Sequence, residues 1–221
     1  MVTNIHDGVN TTLSLKKEFL SGNKSEKILK ELSKKCELNA SLSLCSDVYE
    51  EIIKKNRKFD TVDVFKAELY FAQEKLSSDI IMPVFDIIEK YQDDEFVKDA
   101  YMLMIQYYKG NSEVEEEANL FKELSEKYLN DPSILNSYAW RMSQLNKNLV
   151  DATQKADKAI DLCGEKLSLK SMILDTKAEL LWIQGDIDGA IEAIQIAIEI
   201  DPKSNYFQEQ LNKFYASKKE S

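Results

Sequence analysis

Apolar residues recur at spacings of three and four along almost the whole chain, interrupted at short intervals by polar or turn-forming residues. That period places the apolar positions on one face of a helix. Start and stop signals then divide the chain into about twelve helices with short connections. The first three cover roughly 11–20, 24–37 and 41–57, the second marked by Ile28, Leu29 and Leu32. "TVDVFKAELYFAQEK" (61–75) pairs with "DIIMPVFDIIEKYQ" (79–92), where Pro83 falls in the first turn and its missing N–H costs little. "EFVKDAYMLMIQYYK" (95–109) is expected to stop at Gly110-Asn111, a combination suited to a left-handed cap. "SEVEEEANLFKELSEKYL" (112–129) gathers its glutamates at the N-terminal end, where the helix dipole favours negative charge.

Further along, the pattern repeats itself. Ala152, Ala156 and Ala159 are matched by Ala190, Ile194 and Ala197 at a constant offset of 38 residues. Small residues on one face let helix backbones approach closely, as stacking at a fixed pitch requires. Pro132 and Pro202 each follow a short acidic turn, and Gly185-Asp186 forms the tight turn inside the last pair. A repeat of this size signals helix pairs that bury their faces only against their neighbours. Residues 171–204 resemble a tetratricopeptide repeat through Leu174, Ala178, Leu181, Gly185, Asp186, Ala190, Ile194, Ala197 and Pro202. Residues 133–164 resemble a second copy through Ala139, Ala152, Ala156 and Ala159, with "LNKNL" in place of the glycine turn and Cys163-Gly164 in place of proline.

The resemblance implies an all-α fold: a right-handed α-solenoid of antiparallel helix pairs with a C-terminal capping helix over 203–217. Leu211, Phe214 and Tyr215 would face the last pair. Residues 1–60 read as divergent N-terminal helices and 61–221 as the repeat region, together one continuous solenoid. "NSYAW" and "ILDTKAE" also look like helical-repeat tails behind bacterial thioredoxin-like domains.

Composition agrees with helices. Only 6 Gly and 3 Pro occur in 221 residues, too little turn punctuation for a sheet protein. No apolar run approaches the roughly 18 residues of a membrane span, and the first 30 residues lack a signal-peptide pattern. A cytoplasmic protein is expected, or a periplasmic one if the chain is a fragment of an exported protein. Charge is uneven: residues 1–60 balance at +2 and residues 61–221 at −12. An acidic body repels phosphate backbones and anionic membranes, so neither nucleic acid nor membrane is an expected partner. Cys36, Cys45 and Cys163 are odd in number, widely spaced and without a CxxC pair. They read as small core residues rather than a disulfide framework.

Catalytic chemistry has no sequence support. No phosphate-binding glycine loop, zinc-protease string or nucleophile elbow occurs, and His6 is the only histidine. No catalytic residue, metal or cofactor is therefore expected. Asp93-Asp94 and Glu115-Glu116-Glu117 stand where helices begin and read as caps and dipole partners. In tetratricopeptide folds the first helix of each pair lines the concave face, and the resemblance implies ligand contacts there. Met172, Asp175, Glu179 and Trp182 share one stripe of such a helix; Asn136 and Trp140 are candidates on the preceding one. Trp182 has a second placement open to it, against the terminal helix.

The expected function is a non-catalytic scaffold binding a protein or peptide with basic residues. The clamp by which some tetratricopeptide domains hold chaperone tails needs a basic groove, and Asp175 and Glu179 disfavour it. Alternatives are an accessory domain of a thioredoxin-like thiol–disulfide oxidoreductase whose catalytic domain lies outside this chain, or a solenoid self-assembling through its ends.

Overall fold

The computed structural model describes residues 4–38 and 44–220. Every regular element among them is helical: α1 (Asn4–Leu20), α2 (Glu26–Leu38), α3 (Cys45–Lys54), α4 (Thr61–Leu76), α5 (Met82–Lys90), α6 (Lys98–Gly110), α7 (Val114–Lys127), α8 (Pro132–Leu145), α9 (Leu149–Leu162), α10 (Leu167–Ile183), α11 (Ile187–Ile200) and α12 (Asn205–Glu220). Among the described residues no helix is long and apolar enough to cross a membrane. The chain forms two compact units, Met1–Tyr107 and Tyr108–Ser221, with the boundary inside α6.

Several boundaries differ from the sequence expectation. The first helix begins at Asn4 rather than 11, and the last runs Asn205–Glu220 rather than 203–217. The helix expected over 41–57 is Cys45–Lys54, and the expected residues 41–43 lie outside the described ones. The helix expected over 79–92 shortens to Met82–Lys90, with Pro83 in its first turn. Asp79 is consumed in closing α4: its φ is 58°, and Ile80 N–H donates to the Lys75 carbonyl at 3.2 Å. Residues 95–97 form a 3-10 turn ahead of α6.

The ends of α4, α6, α8 and α10 share one device. A left-handed residue closes the helix while the next N–H reaches back five residues to an orphan carbonyl. Gly185 does this after α10, with Asp186 N–H donating to Leu181 O at 2.9 Å. Asn146 does it after α8, with Lys147 N–H donating to Met142 O at 3.1 Å. Asparagine tolerates that backbone region, so "LNKNL" needs no glycine. After α6 the left-handed residue is Ser112, not the Gly110-Asn111 expected, with Glu113 N–H donating to Tyr108 O at 2.9 Å.

In the first unit, Phe19, Ile28, Leu29, Leu32, Val48, Tyr49 and Ile52 form one core with Ala67 of α4. Tyr49 and Tyr70 pack at 4.8 Å between ring centroids, and Phe65 packs on Tyr91 and Phe96 at 5.3 and 4.7 Å. Here the cysteine expectation is overturned. Cys36 at the end of α2 and Cys45 at the start of α3 are joined by a disulfide, with Cα atoms 5.6 Å apart. Sequence spacing could not reveal it, because a disulfide depends on where two Cβ vectors point after the helices have packed. Cys163 is free and buried, as a core thiol.

In the second unit, α8 packs on α9, α10 on α9 and α11, and α10 also on α8. Ala152, Ala156, Ala159, Ala190, Ile194 and Ala197, the residues of the 38-residue offset, are all fully buried. Ala139 and Ala178 are fully buried as well. The small-residue faces are therefore the packed faces. Tyr138 ties α8 to α9 by donating to Asp151 Oδ2 at 2.7 Å. Asp186 caps α11 by accepting from Gly189 N–H at 2.9 Å. A Cβ on residue 189 would come within 2.4 Å of Asp186 Oδ2, so the cap occupies the space the glycine leaves.

One polar contact exceeds what the sequence suggested. Glu117 stands in the first turn of α7 as expected, yet it is only 1% exposed. Arg141 of α8 holds it in a bidentate pair, Nε to Oε1 at 2.5 Å and the second guanidinium nitrogen to Oε2 at 2.9 Å. The fork geometry of arginine suits a buried carboxylate in a way lysine does not. The available signal was compositional: Arg141 is one of two arginines in a lysine-rich chain.

Candidate functional site

The two ends of the α10 stripe have different fates. Near its start, Met172, Asp175 and Thr176 line a cleft of about 420 Å³. Asn136, Ser137 and Trp140 of α8 form a second wall, and Ser204, Tyr206 and Phe207 at the start of α12 form the third. Four of the six expected site residues, Asn136, Trp140, Met172 and Asp175, thus meet in one place. Glu179 and Trp182 do not line it.

Those two are engaged by α12 instead. Lys213 Nζ lies 2.6 Å from Glu179 Oε2 and 3.7 Å from the Trp182 ring centroid. Trp182 Nε1–H donates to Ser217 Oγ at 2.9 Å, and its ring lies 6.2 Å from that of the fully buried Phe214. Trp182 therefore takes its second placement, on the terminal helix. Tyr206 meets Asp175, Lys213 meets Glu179 and Ser217 meets Trp182, so α12 runs alongside α10 in the same direction. Phe207, Phe214 and Leu211 belong to the core shared with α11, while Tyr215 meets that helix only at its rim, its hydroxyl accepting from Gln195 Nε2 at 3.3 Å and its ring exposed. The aromatic that turns inward is Phe207, one α-helical turn before Leu211.

Asp175 is the chemically distinctive residue of the cleft. It is 9% exposed, so a free surface carboxylate is not what α10 presents. Its Oδ2 accepts from the Tyr206 hydroxyl at 3.2 Å. Burial pushes its carboxyl up to about 6, and the charge of Glu179 adds to the shift; the Tyr206 hydrogen bond and Lys213 oppose it. Burial and the neighbouring Asp175 push Tyr206 up to about 12. Above them the walls are open to solvent: Trp140 is 38% exposed, Met172 52% and Tyr206 46%. Asn136 Oδ1 is buried and has no hydrogen-bond partner among the described residues.

Tyr206, Phe207, Ser204, Ser137 and Thr176 are the cleft residues sequence reasoning missed. The signal was the adjacent pair Tyr206-Phe207, which in a helix presents aromatics to two different faces.

A second cleft, of about 490 Å³, lies in the first unit beside the disulfide, Tyr49 and Tyr70. Two of its charged groups answer each other, Lys66 Nζ standing 2.9 Å from Glu37 Oε1. Compared with known proteins, the chain matches no family model and no curated sequence. Its own geometry therefore carries the functional argument.

Proposed function

We propose that the chain is a non-catalytic scaffold whose second unit, a tetratricopeptide-like stack of helix pairs, binds a protein or peptide segment in the α8–α10–α12 cleft. The observation that supports this is the group of large, solvent-exposed side chains, Trp140, Met172 and Tyr206, around one concavity. Clefts with mostly apolar walls and a few placed polar groups are the common form of a recognition site. Aromatic residues in such positions supply much of the binding energy. Selecting peptides from a random display library against the whole chain tests the reading. Selected peptides are expected to lose binding to Trp140→Ser while that variant keeps its helical circular dichroism. Equal binding by the two proteins refutes the assignment of the cleft.

A second reading, the accessory domain of a thioredoxin-like oxidoreductase, is favoured by the Cys36–Cys45 disulfide. Such bonds persist in oxidising compartments, which moves the proposed location from the cytoplasm towards the periplasm. Alkylation and mass spectrometry of the protein from its native source test this. Free thiols at Cys36 and Cys45 would return it to the cytoplasm.

A further inference from the structure

The polar capacity that the cleft leaves open is that of acceptors. Asp175 Oδ2 takes the Tyr206 hydroxyl, but Oδ1 receives no donor from the described residues. Asn136 Oδ1 is buried without a partner. The Thr176 hydroxyl is spent on the Met172 carbonyl at 3.2 Å. Among the described residues no lysine or arginine lines the cleft. Lys213, the lysine whose charge reaches Asp175, is engaged by Glu179 and Trp182. A buried acceptor without a donor, as at Asn136, costs free energy, and a ligand that supplies a donor removes that cost.

We propose that the cleft is a lysine site: it takes the side-chain ammonium of a lysine in a partner peptide between Asp175 and Asn136, against Trp140 and Tyr206. The inference rests on the peptide-binding reading above and specifies its anchoring group. A carboxylate or phosphate would bring like charge against Asp175, and a purely apolar group would leave both acceptors unmet. An ammonium carries three rotatable donors, enough for two acceptors on different helices; the rigid guanidinium fork suits one carboxylate taken bidentately. The lysine stem packs along Met172 while its charge lies near the exposed faces of Trp140 and Tyr206.

The chain has two tryptophans, so a ¹⁵N-labelled sample gives two indole N–H signals. Trp140 reports the cleft, and Trp182, bonded to Ser217, is the internal control. The probes are degenerate short peptide libraries with the central position fixed as lysine, norleucine, Nε-acetyl-lysine or arginine, together with n-butylammonium. The lysine library is expected to move the Trp140 signal and to bind about tenfold more tightly than the norleucine library. Asp175→Asn is expected to abolish that preference while keeping both indole signals dispersed. If it fails to fold, Asn136→Leu serves instead: it keeps the Trp140 reporter and is expected to weaken the binding of the lysine library. Norleucine or acetyl-lysine binding as tightly as lysine overturns the lysine site and leaves the peptide reading standing. Arginine binding more tightly overturns the choice of ammonium, and n-butylammonium matching the peptide overturns a peptide source. If no library moves the Trp140 signal, both readings fall.

Discussion

In the second unit the buried face of α9 is Ala152, Ala156 and Ala159, and that of α11 is Ala190, Ile191, Ala193, Ile194 and Ala197. In the first unit Tyr49, Phe65, Tyr70, Tyr91 and Phe96 pack ring on ring beside a core of Ile28, Leu29, Leu32, Val48 and Ile52, and α2 is bonded covalently to α3. Both produce short helices packed on their chain neighbours, by different physics. Alanine lets two helix backbones approach closely, so a face of small residues shows in the sequence at helical spacing. Aromatic rings fill volume in many orientations, and their centroids pack over several ångströms of range. Ring packing therefore leaves no fixed period in the sequence. Both tryptophans lie in the second unit, so tryptophan fluorescence follows that unit alone, while helical circular dichroism follows both.

The largest expected effect breaks the alanine face. Ala197→Glu puts an unpaired charge where nothing is exposed and is expected to cost about 4 kcal/mol. Denaturant unfolding read by tryptophan fluorescence measures it. A midpoint equal to that of the parent protein means the face is not closely packed.

Next comes the covalent link. Replacing both Cys36 and Cys45 by serine opens a loop with a sequence separation of 9, and loop entropy puts the loss at about 2–3 kcal/mol. The change is expected in circular dichroism and not in tryptophan fluorescence. A shift of the fluorescence midpoint by the same amount would mean that the two units unfold together.

Asp175 gives a pH-dependent effect of similar size. Its carboxyl is raised on folding to about 6, so folding favours the protonated form. That stabilisation is complete below the ordinary carboxylate range and is lost as pH rises through 6. Asp175→Asn, which keeps an acceptor for Tyr206, is expected to be more stable than the parent by about 2–3 kcal/mol at pH 8 and equal to it near pH 4. Unfolding midpoints by tryptophan fluorescence across that range check the sign. Charge reversal at Asp175 and Glu179 would act on the fold as well as on the cleft. It would remove the partners of Tyr206 and Lys213 and loosen α12 from α10.

The smallest effect concerns a helix end. Ser112 holds φ at 59°, a region that favours glycine, so Ser112→Gly is expected to stabilise the chain by about 1 kcal/mol. Asn146→Gly, at a φ of 52°, is expected to gain only a few tenths, because asparagine already tolerates that backbone. Thermal midpoints of the two variants, compared side by side, test the ranking.

The helices themselves, the small-residue faces of α9 and α11 and the turn at Gly185 were legible from sequence. Each follows from a local rule: apolar period, side-chain size or backbone freedom. Asn136, Trp140, Met172 and Asp175 were legible as candidates because a helical stripe is a property of spacing. Tertiary structure decided which candidates stay open. Where α12 lies determined that Glu179 and Trp182 are covered while Trp140 and Met172 face solvent, and that Asp175 is a buried acid rather than a surface charge. The Cys36–Cys45 bond and the Glu117–Arg141 pair were decided in the same way. Each joins groups on different helices, and their meeting depends on how those helices cross, a quantity that the period within any one helix does not contain.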